Sequence, residues 1–145
     1  MTFRTALLTM LLTFLVTISI QNNASARYDD LAILYRMVEA EATGEGYEGK
    51  QLVTEVIMNR VHSDQFPNSI EAVVFQKNQF SPIIDGRYWE VSITRETVLA
   101  VKSIMFVGIR TASRDVLFFQ NYRVDGWIND NRPLAFNHNR HNFYY

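Results

Sequence analysis

Asp29-Asp30-Leu31-Ala32-Ile33-Leu34-Tyr35-Arg36-Met37-Val38-Glu39-Ala40-Glu41-Ala42 carries apolar residues at three- and four-residue steps, at Leu31, Leu34, Tyr35, Val38 and Ala42. That spacing predicts an amphipathic helix with one buried stripe. Glu41 falls inside the stripe, between the directions of Met37 and Leu34, whereas Glu39 points toward the polar side with Arg36 and Ala32. A carboxyl group held against apolar neighbours loses hydration of its charged form, so its pKa rises and it stays protonated near neutral pH. Such a group suits the role of a general acid. Periodicity alone leaves a second reading open, in which the carboxylate curls into solvent past the helix end.

Upstream, Arg4 precedes an almost uninterrupted apolar run from Ala6 to Ile20, followed by polar Gln21-Asn22-Asn23 and then Ala24-Ser25-Ala26. A basic start, an apolar centre and an A-x-A site predict a secretory signal peptide over residues 1–26. The run is short for a full membrane span and contains several Thr and Ser, so cleavage is favoured over an uncleaved anchor. The expected mature domain, residues 27–145, has the size of one domain with no room for a second. Export to the periplasm, the wall or the medium follows, with the membrane involved only through the signal segment.

Apolar residues make up 48% of the chain, enough to build a packed core, and cysteine is absent. The missing cysteines exclude thiol catalysis, lipid attachment at an N-terminal cysteine and cysteine-based zinc sites, and they leave the fold to its core alone. The formal net charge is −1, with basic residues scattered singly. That distribution argues against a nucleic-acid partner, which calls for a basic stripe.

Downstream, Asp29 or Asp30 is the expected N-cap of the first helix and Gly44 its stop. The loop Thr43-Gly44-Glu45-Gly46-Tyr47-Glu48-Gly49 follows. A second helix is expected from Lys50 to about His62, burying Leu52, Val53, Val56, Ile57 and Val61. A short one runs from Ile70 to Phe75, capped by Asn68 or Ser69. Gln76 to Glu90 shows no steady period, contains Pro82 and Gly86, and reads as an ordered loop. A third long helix runs from Thr94 or Arg95 to Val107, with Val98, Val101, Ile104 and Met105 inward, and stops at Gly108. Val116 to Gln120 reads as a strand, as does His141 to Tyr145. The sum is a mainly helical α+β single domain with a small C-terminal β element.

Five stretches, in order, are similar to the SleB/CwlJ-type cell wall hydrolases: Glu39-Ala40-Glu41-Ala42-Thr43-Gly44-Glu45-Gly46-Tyr47-Glu48-Gly49-Lys50, Met58-Asn59-Arg60-Val61, Phe66-Pro67-Asn68-Ser69-Ile70, Gln79-Phe80-Ser81-Pro82, and a tail with Trp127, Arg132-Pro133 and His141-Asn142-Phe143-Tyr144. The resemblance implies a lysozyme-like domain that cuts peptidoglycan glycan strands, with the family's catalytic glutamate falling on Glu41. Ala40 and Thr43 stand where members commonly carry Gly and Arg, which puts in doubt a salt bridge from that Arg but not the acid.

Glycosidic cleavage needs an acid and usually a second carboxylate. Glu45, Glu48, Glu55, Asp85 and Asp125 are available for the second role, and none stands out. A lytic transglycosylase, in which the muramic 6-hydroxyl attacks the anomeric carbon, needs only one glutamate as acid and then base. That is the preferred expectation. The alternatives are a hydrolytic glycosidase with a second carboxylate and a non-catalytic peptidoglycan-binding module.

Gln79 and Ser81 are expected to hydrogen-bond sugar groups, and Tyr47 and Trp127 to stack on sugar rings. Glu45, Asn59 and His141 are expected in supporting roles. No cofactor is expected and no metal, because His138 and His141 lack a ligand signature with Asp125 or Asp130.

Overall fold

The computed structural model describes residues 3–145, with side chains over 10–18 and 29–145. The chain divides into two compact units, residues 1–32 and 33–145.

The first unit is helical, part of α1 (Phe3–Glu41). Met10, Leu11, Leu12, Phe14 and Val16 are exposed along it. The Thr13 and Thr17 hydroxyls donate to the carbonyls of Met10 and Phe14 at 2.9 and 2.8 Å, which satisfies them inside an apolar helix. No helix among the described residues is long and apolar enough to cross a membrane. The side chains of the expected cleavage site, Ala24-Ser25-Ala26, lie outside the described residues. The expected helix start at Asp29 or Asp30 is not where α1 begins, because no Gly or Pro from Gln21 to Asp30 interrupts it.

In the second unit the last turns of α1 bury Leu34, Met37, Val38, Ala40 and Ala42, with Tyr35 half-buried. Glu39, expected on the polar side, is buried as well. Its carboxylate accepts from the Thr94 backbone N–H at 2.9 Å, from the Thr94 hydroxyl at 2.7 Å and from the Thr97 hydroxyl, and it faces Lys50 Nζ at 3.5 Å. Partners distant in sequence turned a surface position into an interior one.

The central element is α2 (Gly46–Val61), which starts four residues before the expected Lys50 and packs against the helical segments 70–74 and 95–107 and against the strand 118–121. Leu52, Val53, Val56 and Ile57 form the expected stripe, with Val61 half-buried. Lys50, Gln51, Thr54, Glu55, Asn59 and Arg60 are buried too, so the helix is enclosed on nearly every face. Each of these polar groups is paired, as burial requires. Gln51 donates to the Ser103 hydroxyl at 2.8 Å, and Glu55 accepts from the Thr111 and Ala112 backbone N–H groups at 2.8 and 2.7 Å.

Next comes α3 (Ile70–Val74), capped by the Ser69 hydroxyl accepting from the Ala72 N–H. The stretch 76–90, expected as loop, holds two short helices, α4 (Ser81–Asp85) and α5 (Arg87–Glu90). Gly86, at φ 88°, joins them in the left-handed region. Helices this short complete too few turns to show a period. Thr94 caps α6 (Arg95–Lys102), and a π-helical turn over Ser103–Val107 carries the chain to a left-handed Gly108. Val101 is buried as expected, but Thr97, Ala100 and Ser103 take the inward positions, while Val98, Ile104 and Met105 are half-buried. Thr97 and Ser103 are drawn inward by Glu39 and Gln51, and the π turn changes the helical register beyond Lys102.

The C-terminal element is a three-stranded antiparallel sheet of β1 (Phe118–Asn121), β2 (Leu134–His138) and β3 (His141–Tyr144), in the order β1-β3-β2. Phe119 opposes Phe143, and a bulge interrupts β2 between Leu134 and Phe136. Phe143 is fully buried, packs with Leu52, Val56 and Val116, and stacks on Phe136 with centroids 4.9 Å apart. A short α7 (Trp127–Asn131) lies between β1 and β2. Neither β2 nor α7 was expected, since neither shows a clear alternation or helical period.

Candidate active site

The last residue of α1 opens into a cleft of about 730 Å³. Glu41 and Ala40 line it from α1, Gln79 and Ser81 from the chain entering α4, and Arg87 from α5. The sheet side supplies Phe118, Phe119, Gln120 and Asn121 from β1, Trp127 and Ile128 from α7, and Arg140 and His141 from the β2–β3 turn and β3. Gly44, at φ 78°, lets the chain leave α1 sharply, so Glu41 ends the helix at the cleft wall.

Burial pushes the Glu41 carboxyl up from 4.5 to about 7. The Arg87 and Arg60 guanidinium groups and the Ser81 backbone N–H pull it down, and Asp85 adds to the rise. Desolvation wins, so the group titrates near neutrality.

Arg60 is a buried cation in this wall. Its Nε donates to the Leu117 carbonyl at 2.7 Å, its Nη1 to Gln79 Oε1 at 3.4 Å, and it lies over the rings of Phe66, Phe80 and Phe118. Burial lowers its pKa to about 10, against the opposing effect of Glu41, so it stays charged at neutral pH. Arg87 donates to the Ser81 hydroxyl at 3.2 Å and to Asp85 Oδ2 at 2.9 Å.

Glu45 is buried and fixed. Arg140 Nε donates to its Oε1 at 2.7 Å, and Arg140 Nη2 to the Thr43 carbonyl at 2.6 Å. A guanidinium from the far end of the chain therefore reaches the loop where the resemblance would place an arginine at position 43. His141 Nδ1 lies 3.8 Å from Glu45 Oε2, and the ring stands edge-on to Phe119 at 5.3 Å. Desolvation lowers the His141 pKa; Glu45 opposes this, and Arg140 and His138 reinforce it.

Of the residues singled out from sequence, Glu41, Glu45, Gln79, Ser81, Trp127 and His141 line this one cleft. Tyr47 is exposed at the start of α2 and is not among the lining residues. Asn59 is buried elsewhere, donating to the carbonyls of Ser113 and Val116, both at 3.0 Å. Arg60, Arg87 and Arg140 were not assigned to the site. Arg60 sits in a stretch that carried the resemblance, whereas nothing local marks Arg87 or Arg140. Among the described residues no three His, Asp or Glu side chains converge as a metal site.

A profile for cell wall hydrolases matches residues 44–144, beginning just after Glu41. The spore cortex-lytic enzyme of Bacillus subtilis is 41% identical over 73 residues, covering 49% of this chain and 24% of that protein. The cell wall hydrolase CwlJ of the same organism is 29% identical over 79 residues, covering 52% of this chain and 56% of that one. The chain thus spans about a quarter of the length of the spore enzyme it matches. Among solved structures, the catalytic domain of the germination-specific lytic transglycosylase SleB from Bacillus anthracis superposes with a TM-score of 0.71 at 26% identity, over 80% of this chain and 93% of that one. The SleB catalytic domain from Bacillus cereus also scores 0.71, at 25% identity, over 81% and 91%. These neighbours share the lysozyme-like α+β architecture described above.

Proposed function

The chain belongs to the cell wall hydrolase family, and from that premise we propose that it cuts peptidoglycan glycan strands as a lytic transglycosylase with Glu41 as its acid and base. The observation that carries this reading is the Glu41 carboxyl at the cleft wall, pushed to about 7 by burial. Protonated, it gives its proton to the oxygen between N-acetylmuramic acid and N-acetylglucosamine as the bond to the anomeric carbon breaks. The muramic 6-hydroxyl forms the new bond to that carbon and passes its proton to the Glu41 carboxylate. The acid is regenerated, no water is consumed, and the product carries a 1,6-anhydro end.

One carboxylate suffices for this cycle. Glu45, the nearest alternative in sequence, is bound by Arg140 and suits a structural charge better than a nucleophile. Gln79 and Ser81 take sugar hydroxyl or acetamido groups, and the exposed face of Trp127 takes a sugar ring. Glu45 and Arg140 hold the Gly44–Gly46 loop and the β2–β3 turn together beside the acid, with His141 supporting Glu45 from β3. Residues 1–26 direct export as a signal segment, which places the domain where its polymer is.

The test is mass spectrometry of muropeptides released from purified peptidoglycan by the chain and by Glu41→Gln. Anhydromuramic ends from the parent chain alone support the reading. Reducing ends would replace it with a hydrolase that uses a second carboxylate, and binding to insoluble wall without any product would leave a binding module.

A further inference from the structure

Beside the Glu41 cleft lies a second groove, of about 530 Å³, lined by Arg110, Arg114 and Arg132 with His62, Asp64 and Asp115. The arginines are poorly compensated. Among the described residues none forms an ion pair, and Arg110 alone has a side-chain hydrogen bond, to Asn59 Oδ1 at 3.3 Å. Arg132 Nε is buried without any hydrogen-bond partner. Arg110 and Arg114 are the exposed guanidinium groups of the groove, where an entering anion meets positive charge that no carboxylate among the described residues holds.

The two depressions share a wall. The Arg132 guanidinium carbon lies 4.4 Å from the centroid of Phe118 and 5.5 Å from that of Trp127, and both rings line the Glu41 cleft. The two depressions therefore lie within reach of one branched polymer.

We propose that this groove binds the carboxylates of the peptide stem carried by the muramic residue, a reading that rests on the glycan-cleaving function above. Planar guanidinium groups match carboxylates through paired charge-assisted hydrogen bonds. Asp64 and Asp115 give the same groove negative charge. That mixture suits a stem bearing both carboxylates and an amine, and it disfavours a polyphosphate, which the aspartates would repel.

Arg114 is exposed and makes no side-chain hydrogen bond or ion pair among the described residues, so replacing it leaves the fold intact. The binding test is isothermal titration of the stem tetrapeptide L-Ala-γ-D-Glu-meso-diaminopimelyl-D-Ala into the full chain carrying Glu41→Gln, with and without Arg114→Glu. The expected result is measurable binding, weakened roughly tenfold by Arg114→Glu and abolished when the peptide carboxylates are amidated. Equal affinity with and without Arg114→Glu, or no binding at all, overturns the proposal. Tighter binding of poly(glycerol phosphate) that is also lost in Arg114→Glu overturns it in favour of an anionic wall polymer.

A second measurement compares cleavage of stem-bearing strands with strands stripped of stems by an amidase. The parent chain should prefer the former, and Arg114→Gln should lose that preference at an unchanged rate on stripped strands; an unchanged preference overturns the proposal. If the parent chain cleaves neither substrate, the glycan-cleaving reading fails while the titration still decides the groove.

Discussion

Arg87 donates from Nη1 to the carbonyl of Ala40 at 2.9 Å, tying α5 to the last turn of α1 one residue before Glu41. The same guanidinium holds Ser81 and Asp85, so a single side chain joins the helix that carries Glu41 to the segment that carries Ser81. Its positive charge is also the largest influence opposing the rise in the Glu41 pKa.

Replacing Arg87 should therefore do two separable things. Arg87→Met removes the charge, so the Glu41 pKa rises above about 7 and the high-pH limb of the rate profile moves to higher pH. The lost clamp should lower kcat roughly tenfold through misplacement of the acid. Arg87→Lys should keep the limb near its parent position and still lose kcat, because an ammonium cannot reproduce the fork. A limb that stays put in Arg87→Met would count against the electrostatic part.

For the parent chain, an acid with a pKa of about 7 loses its protonated fraction above neutrality. The rate on peptidoglycan should fall about tenfold per unit at pH values well above 7. Glu41→Gln should lower it by at least roughly a hundredfold below pH 7, with the gap narrowing as the parent's acid deprotonates at higher pH. A turbidity assay from pH 5 to 9 checks both.

Stability should move the opposite way in the same variant. The folded Glu41 pKa is raised from 4.5 to about 7, so the native state holds this proton more tightly. The resulting stabilisation is complete below the unfolded value and is lost as pH rises through the folded one. Above pH 7 the parent chain retains a desolvated carboxylate, and Glu41→Gln removes it. Urea unfolding should find Glu41→Gln close to the parent at pH 4 and more stable by on the order of 2 kcal/mol at pH 8, after allowance for partial exposure.

Glu39 should show the reverse sign. Burial acts to raise its pKa, but hydrogen bonds from Thr97 and Thr94 and the Lys50 charge outweigh it and hold the group below its usual 4.5. Its contribution is present above the unfolded pKa and disappears as pH falls through the lower folded value. Glu39→Gln should cost about 3 kcal/mol at pH 7, since Lys50 loses a buried partner, and the gap to the parent should narrow under strongly acid conditions. Denaturant midpoints at pH 7 and pH 3 measure this.

Gly49 gives a test of close approach. A Cβ added there would lie 2.5 Å from Glu45 Cβ and 3.4 Å from the His138 ring. Gly49→Ala should destabilise the domain by about 1–3 kcal/mol and push Glu45 away from Arg140. Thermal unfolding reads the first effect, and loss of wall-cleaving activity with Glu41 intact reads the second.

The sequence by itself determined the elements whose side chains repeat over several turns or alternate along a strand. The α1 and α2 stripes, a cap at Asn68 or Ser69, the Gly44 and Gly108 stops and the two aromatic strands β1 and β3 are all local patterns, set by backbone sterics and by which face must leave water. Glu41 was legible for the same reason, as a carboxylate on an apolar stripe. Tertiary structure alone decided the rest, because the physics involved acts across chain distance. Glu39 became an interior residue once Thr94, Thr97 and Lys50 met it. The short helices α4 and α5, too brief to show a period, brought Arg87 to Ala40. Arg140, an unremarkable charge in a turn, closed on Glu45 from nearly a hundred residues away. Periodicity reports which face of a segment is buried, and only the folded chain fixes which charges that burial brings together.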